Sequence, residues 1–213
     1  MSREQERVRR RLEQNPIVEC NRIQRKYYPE LFSRFAKVKD PRNQSYIDYS
    51  TKTMLGTLYY KCIGGISSMQ EMTRKFNDDK IVENLYAFLG DTKKDYLPHG
   101  VTVNEFLERV SPEELEEIQK DLAYTMIRRK TFDDARVLKK WQIIIDGTEL
   151  DEGYQTKNDF YLSRCYNRGE SNEFTKYYRS VLEAKLYLGH DLVCSIASET
   201  IQNSEEYISQ SDD

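Results

Sequence analysis

Nowhere in this chain does an apolar run approach the roughly 20 residues that a membrane-spanning helix needs, and the mean hydropathy is −0.81. Both facts argue against a membrane protein. The basic opening, MSREQERVRRRLEQ, has no apolar stretch behind it, so it is not a secretory signal. Cysteine is scarce as well. Cys20, Cys62, Cys165 and Cys194 lie far apart, with no CxxC pair and no neighbouring histidines. That spacing points away from a disulfide frame or a zinc site and toward reduced thiols in a cytosolic protein. Nor is there an excess of one charge, since the net value is −3.

What remains is a polar, globular composition: 213 residues, 38% hydrophobic and 32% charged, long enough for one large domain or two small ones. Charge is distributed unevenly. Arginine and lysine crowd the first forty residues, among them Arg9, Arg10, Arg11, Arg25 and Lys26. A basic front end on a nearly neutral protein fits an arm that contacts DNA phosphates. Glu4, Glu6 and Glu13 are interleaved with them, which for that segment alone favours a solvated helix face.

Residues 1–135 read as a helical region. Ser68 and Glu71 have capping-box spacing, as do Thr102 and Glu105, and Ser111-Pro112-Glu113-Glu114 has the residues of a helix start. Two short helices around Asn77-Asp78-Asp79 could form a DNA-reading helix-turn-helix or an ordinary helical hairpin. The mixed charges of Lys80, Glu83 and Asn84 do not favour the former. Arg128, Arg129 and Lys130 close the last long helix. There they suit its dipole, with DNA contact as the alternative role.

From residue 136 the pattern changes. Trp141-Gln142-Ile143-Ile144-Ile145 is a β-branched run that is apolar on both faces. It is expected inside a sheet and expected to end at Asp146-Gly147-Thr148. Residues 151–172 read as a loop. Beyond them, Leu182, Ala184, Leu186 and Leu188 alternate with Glu183, Lys185 and Tyr187, and Gly189-His190-Asp191 turns the chain into a second alternating stretch. That is a β-hairpin. The expected class is α+β, with three strands after the helices and no helix following to cover them.

Asp146 is the candidate for chemistry. A carboxylate at the end of a central strand can hold a divalent cation, and two-metal phosphoryl chemistry draws several carboxylates from different elements. Asp-Gly after a strand is also a common turn. Asp146, Glu183 and Glu199 form a further conceivable ligand set, that of a free-standing metal-dependent nuclease.

The run from Trp141 to Leu150 resembles the first catalytic strand of insertion-sequence DDE transposases, whose catalytic domain is RNase H-like. The segment from Leu97 to Leu107 is similar to the region preceding that strand in one such group. So are Ile127-Arg128-Arg129-Lys130-Thr131-Phe132 and Val181-Leu182-Glu183-Ala184-Lys185-Leu186, in the same order. The resemblance covers most of the chain from about residue 30. It implies a helical region over 1–135 that binds transposon ends and dimerises. It also implies, over 136–213, the first three strands of a truncated RNase H-like mixed sheet, beginning as an antiparallel β1-β2-β3. Asp146 matches the first catalytic, metal-binding aspartate, and the complete enzyme would use Mg2+ or Mn2+. The second aspartate and the glutamate come later in such enzymes; Asp212 and Asp213 do not follow an apolar strand and do not replace them. The implied setting is the bacterial cytosol at the nucleoid, with DNA as partner, a homodimer as assembly and no membrane. The chain alone is then expected to be inactive. The other reading is a non-catalytic DNA-binding or interaction protein derived from such an element.

Overall fold

The structure is a computed structural model that describes residues 2–14, 16–130, 132–155 and 161–201, without the side chains of residues 10–14 and 16. Eight α-helices precede four β-strands among these residues, which makes the class α+β. By contact the chain divides into two compact units, Met1–Ile118 and Gln119–Asp213. None of the described helices is long and apolar enough to cross a membrane.

The first unit is built around one helix. In chain order its helices are α1 (Arg3–Gln14), α2 (Pro16–Tyr27), α3 (Leu31–Lys37), α4 (Thr51–Ile63), α5 (Met69–Phe76), α6 (Asp79–Leu89), α7 (Gly100–Leu107) and the start of α8 (Pro112–Arg128). Helix α4 packs against α2, α3, α6 and α7. It is therefore apolar or small nearly all round, and Thr53, Met54, Thr57 and Tyr60 are almost wholly buried. Gly56 lets α6 come close, since a Cβ there would lie 2.2 Å from Leu89 Cδ2. Gly100 does the same for α5 and α7, where a Cβ would lie 2.7 Å from the Met69 carbonyl oxygen.

Local chemistry sets the helix ends. Ser50 accepts a hydrogen bond from the Thr53 N–H, Ser68 from Glu71, and Asp78 from Lys80 and Ile81. The Glu71 carboxylate reaches back one residue further than a capping box requires, to the N–H and hydroxyl of Ser67. Gly90 ends α6 in the left-handed region at φ 59°, where a missing Cβ removes the strain. One expectation fails here. Helix α7 begins at Gly100 with His99 as its cap, so Thr102 lies inside the helix and caps nothing. The His99 ring nitrogen accepts from the Val101 N–H at 3.2 Å, taking the role assigned to a hydroxyl.

The second unit joins residues 119–128 of α8 to a sheet of β1 (Ile143–Gly153), β2 (Leu162–Tyr166), β3 (Phe174–Gly189) and β4 (Leu192–Ile201). All pairings among the described residues are antiparallel, as expected for the opening strands, and β3 is the hub. Strand β1 lies along one side of β3; β2 and β4 share the other, β2 against residues 174–178 and β4 against 180–189. The expected hairpin is β3–β4. Its loop residues His190 and Asp191 have φ 51° and 60°, the left-handed pair of a two-residue hairpin turn.

Strand β1 departs from expectation in two ways. It does not stop at Asp146 but runs on to Gly153, with a bulge between Glu149 and Asp151. It is also an edge strand: Ile143, Ile144 and Ile145 are 55%, 46% and 66% exposed. The composition is that of a central strand, and among the described residues no neighbour covers its outer side. Likewise, the expected loop over 151–172 contains β2, which raises the strand count from three to four.

Register sorts the sheet into two faces. Ile143, Ile145, Leu182, Ala184, Leu186 and Leu188 share one. At its Leu186 end α8 covers this face, enclosing a cavity of about 340 Å³ with Ala123, Tyr124, Ile127, Trp141 and Ile196. The Gln119 side chain donates to the Ser195 carbonyl at 2.6 Å and fixes α8 there. Asp146, Glu183 and Lys185 lie on the opposite face.

Candidate functional site

Asp146 stands mid-strand on β1, directly opposite Glu183 on β3. Two carboxylates facing across an antiparallel pair repel one another. Lys185, two residues on from Glu183, relieves that repulsion: its Nζ lies 2.9 Å from Glu183 Oε2. Hydrogen bonds from the Ser195 side chain and then from Lys185 hold the Glu183 carboxyl below its ordinary range. The Lys185 ammonium is raised chiefly by its bond to Glu183, with Asp146 adding a smaller attraction. The site is thus an acid–acid–ammonium group in which Asp146 is exposed and Glu183 and Lys185 are half-buried.

Glu199 is not part of it. Its cross-strand partner is Leu182, so it lies on the other face from Glu183, and the set Asp146, Glu183, Glu199 is not brought together. The carboxylates that follow Asp146 have partners of their own. Glu149 lies 3.5 Å from Arg164, Glu152 pairs with Lys176, and Asp151 accepts from the Tyr161 hydroxyl. Among the described residues no three His, Cys, Asp or Glu side chains are grouped to hold a metal ion. A two-metal centre needs hard oxygen donors from several elements. Asp146 and Glu183 supply two strands' worth, with an ammonium already bound to one of them, and by themselves do not fit that centre. Asp212 and Asp213 lie outside the described residues.

The basic candidates fall in both units. Arg9 is exposed on α1, and the side chains of Arg10 and Arg11 lie outside the described residues. On α2, Arg25 and Lys26 are exposed near its end, where the helix dipole favours cations. Arg25 also lies over the Phe88 ring, 5.8 Å from its centroid, so packing against α6 is part of its work. Arg128, Arg129 and Lys130 are exposed at the end of α8, and Lys130 leaves the helix at φ 54°. The pair α5–α6 has the expected short-helix, turn, short-helix form. The exposed face of α6 carries Lys80, Glu83 and Asn84, of mixed sign, with Glu83 4.0 Å from Lys93.

Sequence reasoning missed a second group at the far end of the sheet. Arg164 lies over Tyr178 at 4.8 Å, Tyr166 stacks on Phe174 at 5.0 Å, and Tyr154 meets Phe174 edge-on. Tyr161-Leu162-Ser163-Arg164-Cys165-Tyr166 has no clear period-two pattern, so a loop reading passed over it. Lys185 was seen as polar alternation, but its place beside Asp146 depends on the β1–β3 register, which nothing local specifies.

No protein-family profile, curated protein or solved structure matches the chain.

Proposed function

We propose that this chain forms the helical N-terminal region and the opening strands of the catalytic sheet of a DDE-type DNA transposase, with Asp146 as the first of its metal-binding carboxylates. One observation carries the reading: an isoleucine-rich strand bearing Asp146 opens an antiparallel meander, β1–β3–β4, and its outer edge is open among the described residues. A strand of central composition at an edge is a sheet with a place for another strand. In this reading the remaining carboxylates come from chain beyond residue 213, and Mg2+ or Mn2+ is held only once they are present. DNA at the transposon ends is the partner, met by Arg9, Arg10, Arg11, Arg25, Lys26 and Arg128 to Lys130. The protein works as a homodimer in the bacterial cytosol at the nucleoid.

The nucleotides that follow codon 213 are the test. In one frame they are expected to encode an apolar strand ending in aspartate and, later, a helix bearing glutamate. A chain extended to include them is expected to join DNA strands in Mg2+, and Asp146→Asn to abolish this. Absence of those elements from every frame, or full activity in Asp146→Asn, overturns the reading.

A second reading, a non-catalytic DNA-binding protein derived from such an element, is favoured by the pairing of Glu183 with Lys185, which leaves Asp146 without a ligand set among the described residues. It predicts salt-sensitive DNA binding by the 213-residue chain, with affinity falling steeply as salt rises. Binding that is absent at low salt contradicts it.

A further inference from the structure

Two tight turns in the sheet unit share a backbone and differ in residues. At His190-Asp191, between β3 and β4, both residues are left-handed, and histidine and aspartate are among the side chains found in that region most often. Just before β1, Leu138 and Lys139 have φ 51° and 63°, and Val137 and Lys140 close the turn with two backbone hydrogen bonds, at 3.0 and 2.9 Å. Asn-Gly is the pair that such a turn favours. Leucine and lysine are strained there, because Cβ comes too close to the following carbonyl oxygen. The turn is nonetheless braced: Arg136 donates to the Lys139 carbonyl, lies 3.5 Å from Asp133, and sits over the Trp141 ring at 5.9 Å from its centroid. What the strain holds out is Leu138, at 90% the most exposed large apolar side chain among the described residues, flanked by the exposed Lys139 and Lys140.

We infer that this turn is a DNA wedge, in which Leu138 enters between two stacked base pairs while Lys139 and Lys140 hold the phosphates beside that step. Charge and shape together select the partner. From Arg128 to Lys140 the chain carries six cations (Arg128, Arg129, Lys130, Arg136, Lys139 and Lys140) against two carboxylates, Asp133 and Asp134. Arg136 already engages Asp133. Such a stretch suits a polyanion. The tip itself offers one leucine, with Val137 behind it at 51% exposure. That is too little surface for a stable protein contact, which takes about 800 Å² from each partner. It is also too narrow to lie on a bilayer, which amphipathic helices grip with a whole apolar face. A base step, by contrast, accepts a single apolar side chain, and proteins that bind the minor groove kink DNA by inserting one. The strain then has a use. A relaxed Asn-Gly turn would have no apolar side chain to insert.

The wedge rests on the DNA partner of the reading above and uses none of its catalytic residues. Its test is a duplex of about 20 base pairs with 2-aminopurine at a central TA step, the kind of step that unstacks most easily. With the 213-residue chain at low salt, 2-aminopurine fluorescence is expected to rise at saturation as the base leaves the stack. Leu138→Asn suits the left-handed backbone and removes the wedge. It is expected to raise the thermal midpoint by about 2–4 °C, to bind the duplex within about threefold by anisotropy, since phosphate contacts dominate affinity, and to lose most of the fluorescence rise. Leu138→Gly, which has no steric bar to that φ, carries the same comparison if Leu138→Asn fails to fold. Lys139→Gln and Lys140→Gln are each expected to reduce the slope of log affinity against log salt by about 1. Binding without a fluorescence rise, or a rise unchanged in a folded Leu138 variant, overturns the wedge and leaves the transposase reading standing. A Leu138-dependent rise in a protein whose downstream codons lack the expected strand and helix supports the wedge and removes the transposase. Absence of DNA binding at low salt overturns the wedge, and Leu138-dependent sedimentation with phosphatidylserine vesicles in its place reassigns the tip to a membrane surface.

Discussion

The helical unit and the sheet unit differ in how far each closes its own core. All the largest side chains that are almost fully buried, from Met54, Tyr60 and Met72 to Val103 and Phe106, belong to the helices. The sheet has Leu188 buried and Leu186 buried beside α8, yet leaves Ile143, Ile144, Ile145 and Leu182 between 42% and 66% exposed. The helical unit buries its largest core side chains with its own elements. Among the described residues, the sheet carries the composition of a buried strand without the neighbour that would bury it.

That difference is sharpest under core truncation. Phe106→Ala is expected to destabilise the helical unit by about 3–5 kcal/mol, whereas Ile145→Ala, at an exposed edge, is expected to change stability by less than about 0.5 kcal/mol. Urea denaturation followed by circular dichroism separates the two. Equal losses would erase the distinction between the units. Next comes Gly100→Ala, whose Cβ meets the Met69 backbone and not a movable side-chain tip. A loss of about 1–3 kcal/mol is expected, by analogy with other overpacked sites. A smaller effect is expected from Ser68→Ala, which removes the cap of α5 and costs about 1 kcal/mol.

The smallest effect is in pH dependence. Hydrogen bonds from Lys75 and Ser67 lower the Glu71 carboxyl from 4.5 to about 2. A depressed carboxylate contributes stability that is present above its unfolded pKa and is lost as pH falls through the folded value. Glu71→Gln is therefore expected to flatten the fall in stability between about pH 4.5 and 2, read as the denaturation midpoint at each pH. An unchanged profile would show that the pairing has no energetic weight at that exposed position.

The helices were legible in the sequence because their signals are local. Ser68 before Met69, Asp78 before Asp79, Pro112 after Ser111 and Gly90 after Leu89 each mark an end by side-chain chemistry within one turn. His99 escaped notice because an imidazole cap lacks the usual hydroxyl or carboxylate signature. The β3–β4 hairpin was legible for the same reason: its alternation and its two-residue turn are adjacent in the chain. Position within the sheet was not legible. Ile143 to Ile145 have the composition of a central strand, but centrality needs a partner on each side, and only β3 is there among the described residues. The surroundings of Asp146 were hidden similarly, since Glu183 and Lys185 reach it through a pairing across more than thirty residues of chain.

Amide hydrogen exchange along β1, measured by NMR at low protein concentration, tests most directly that this strand is an open edge. The Tyr187 N–H donates to the Gln142 carbonyl, so alternation turns the amides of Ile144, Asp146 and Thr148 toward β3. These are predicted to be protected, with Ile143, Ile145 and Gly147 exchanging freely. Protection of Ile143, Ile145 and Gly147 at the lowest concentration would contradict the account, because it would mean that the edge is already covered within a single chain.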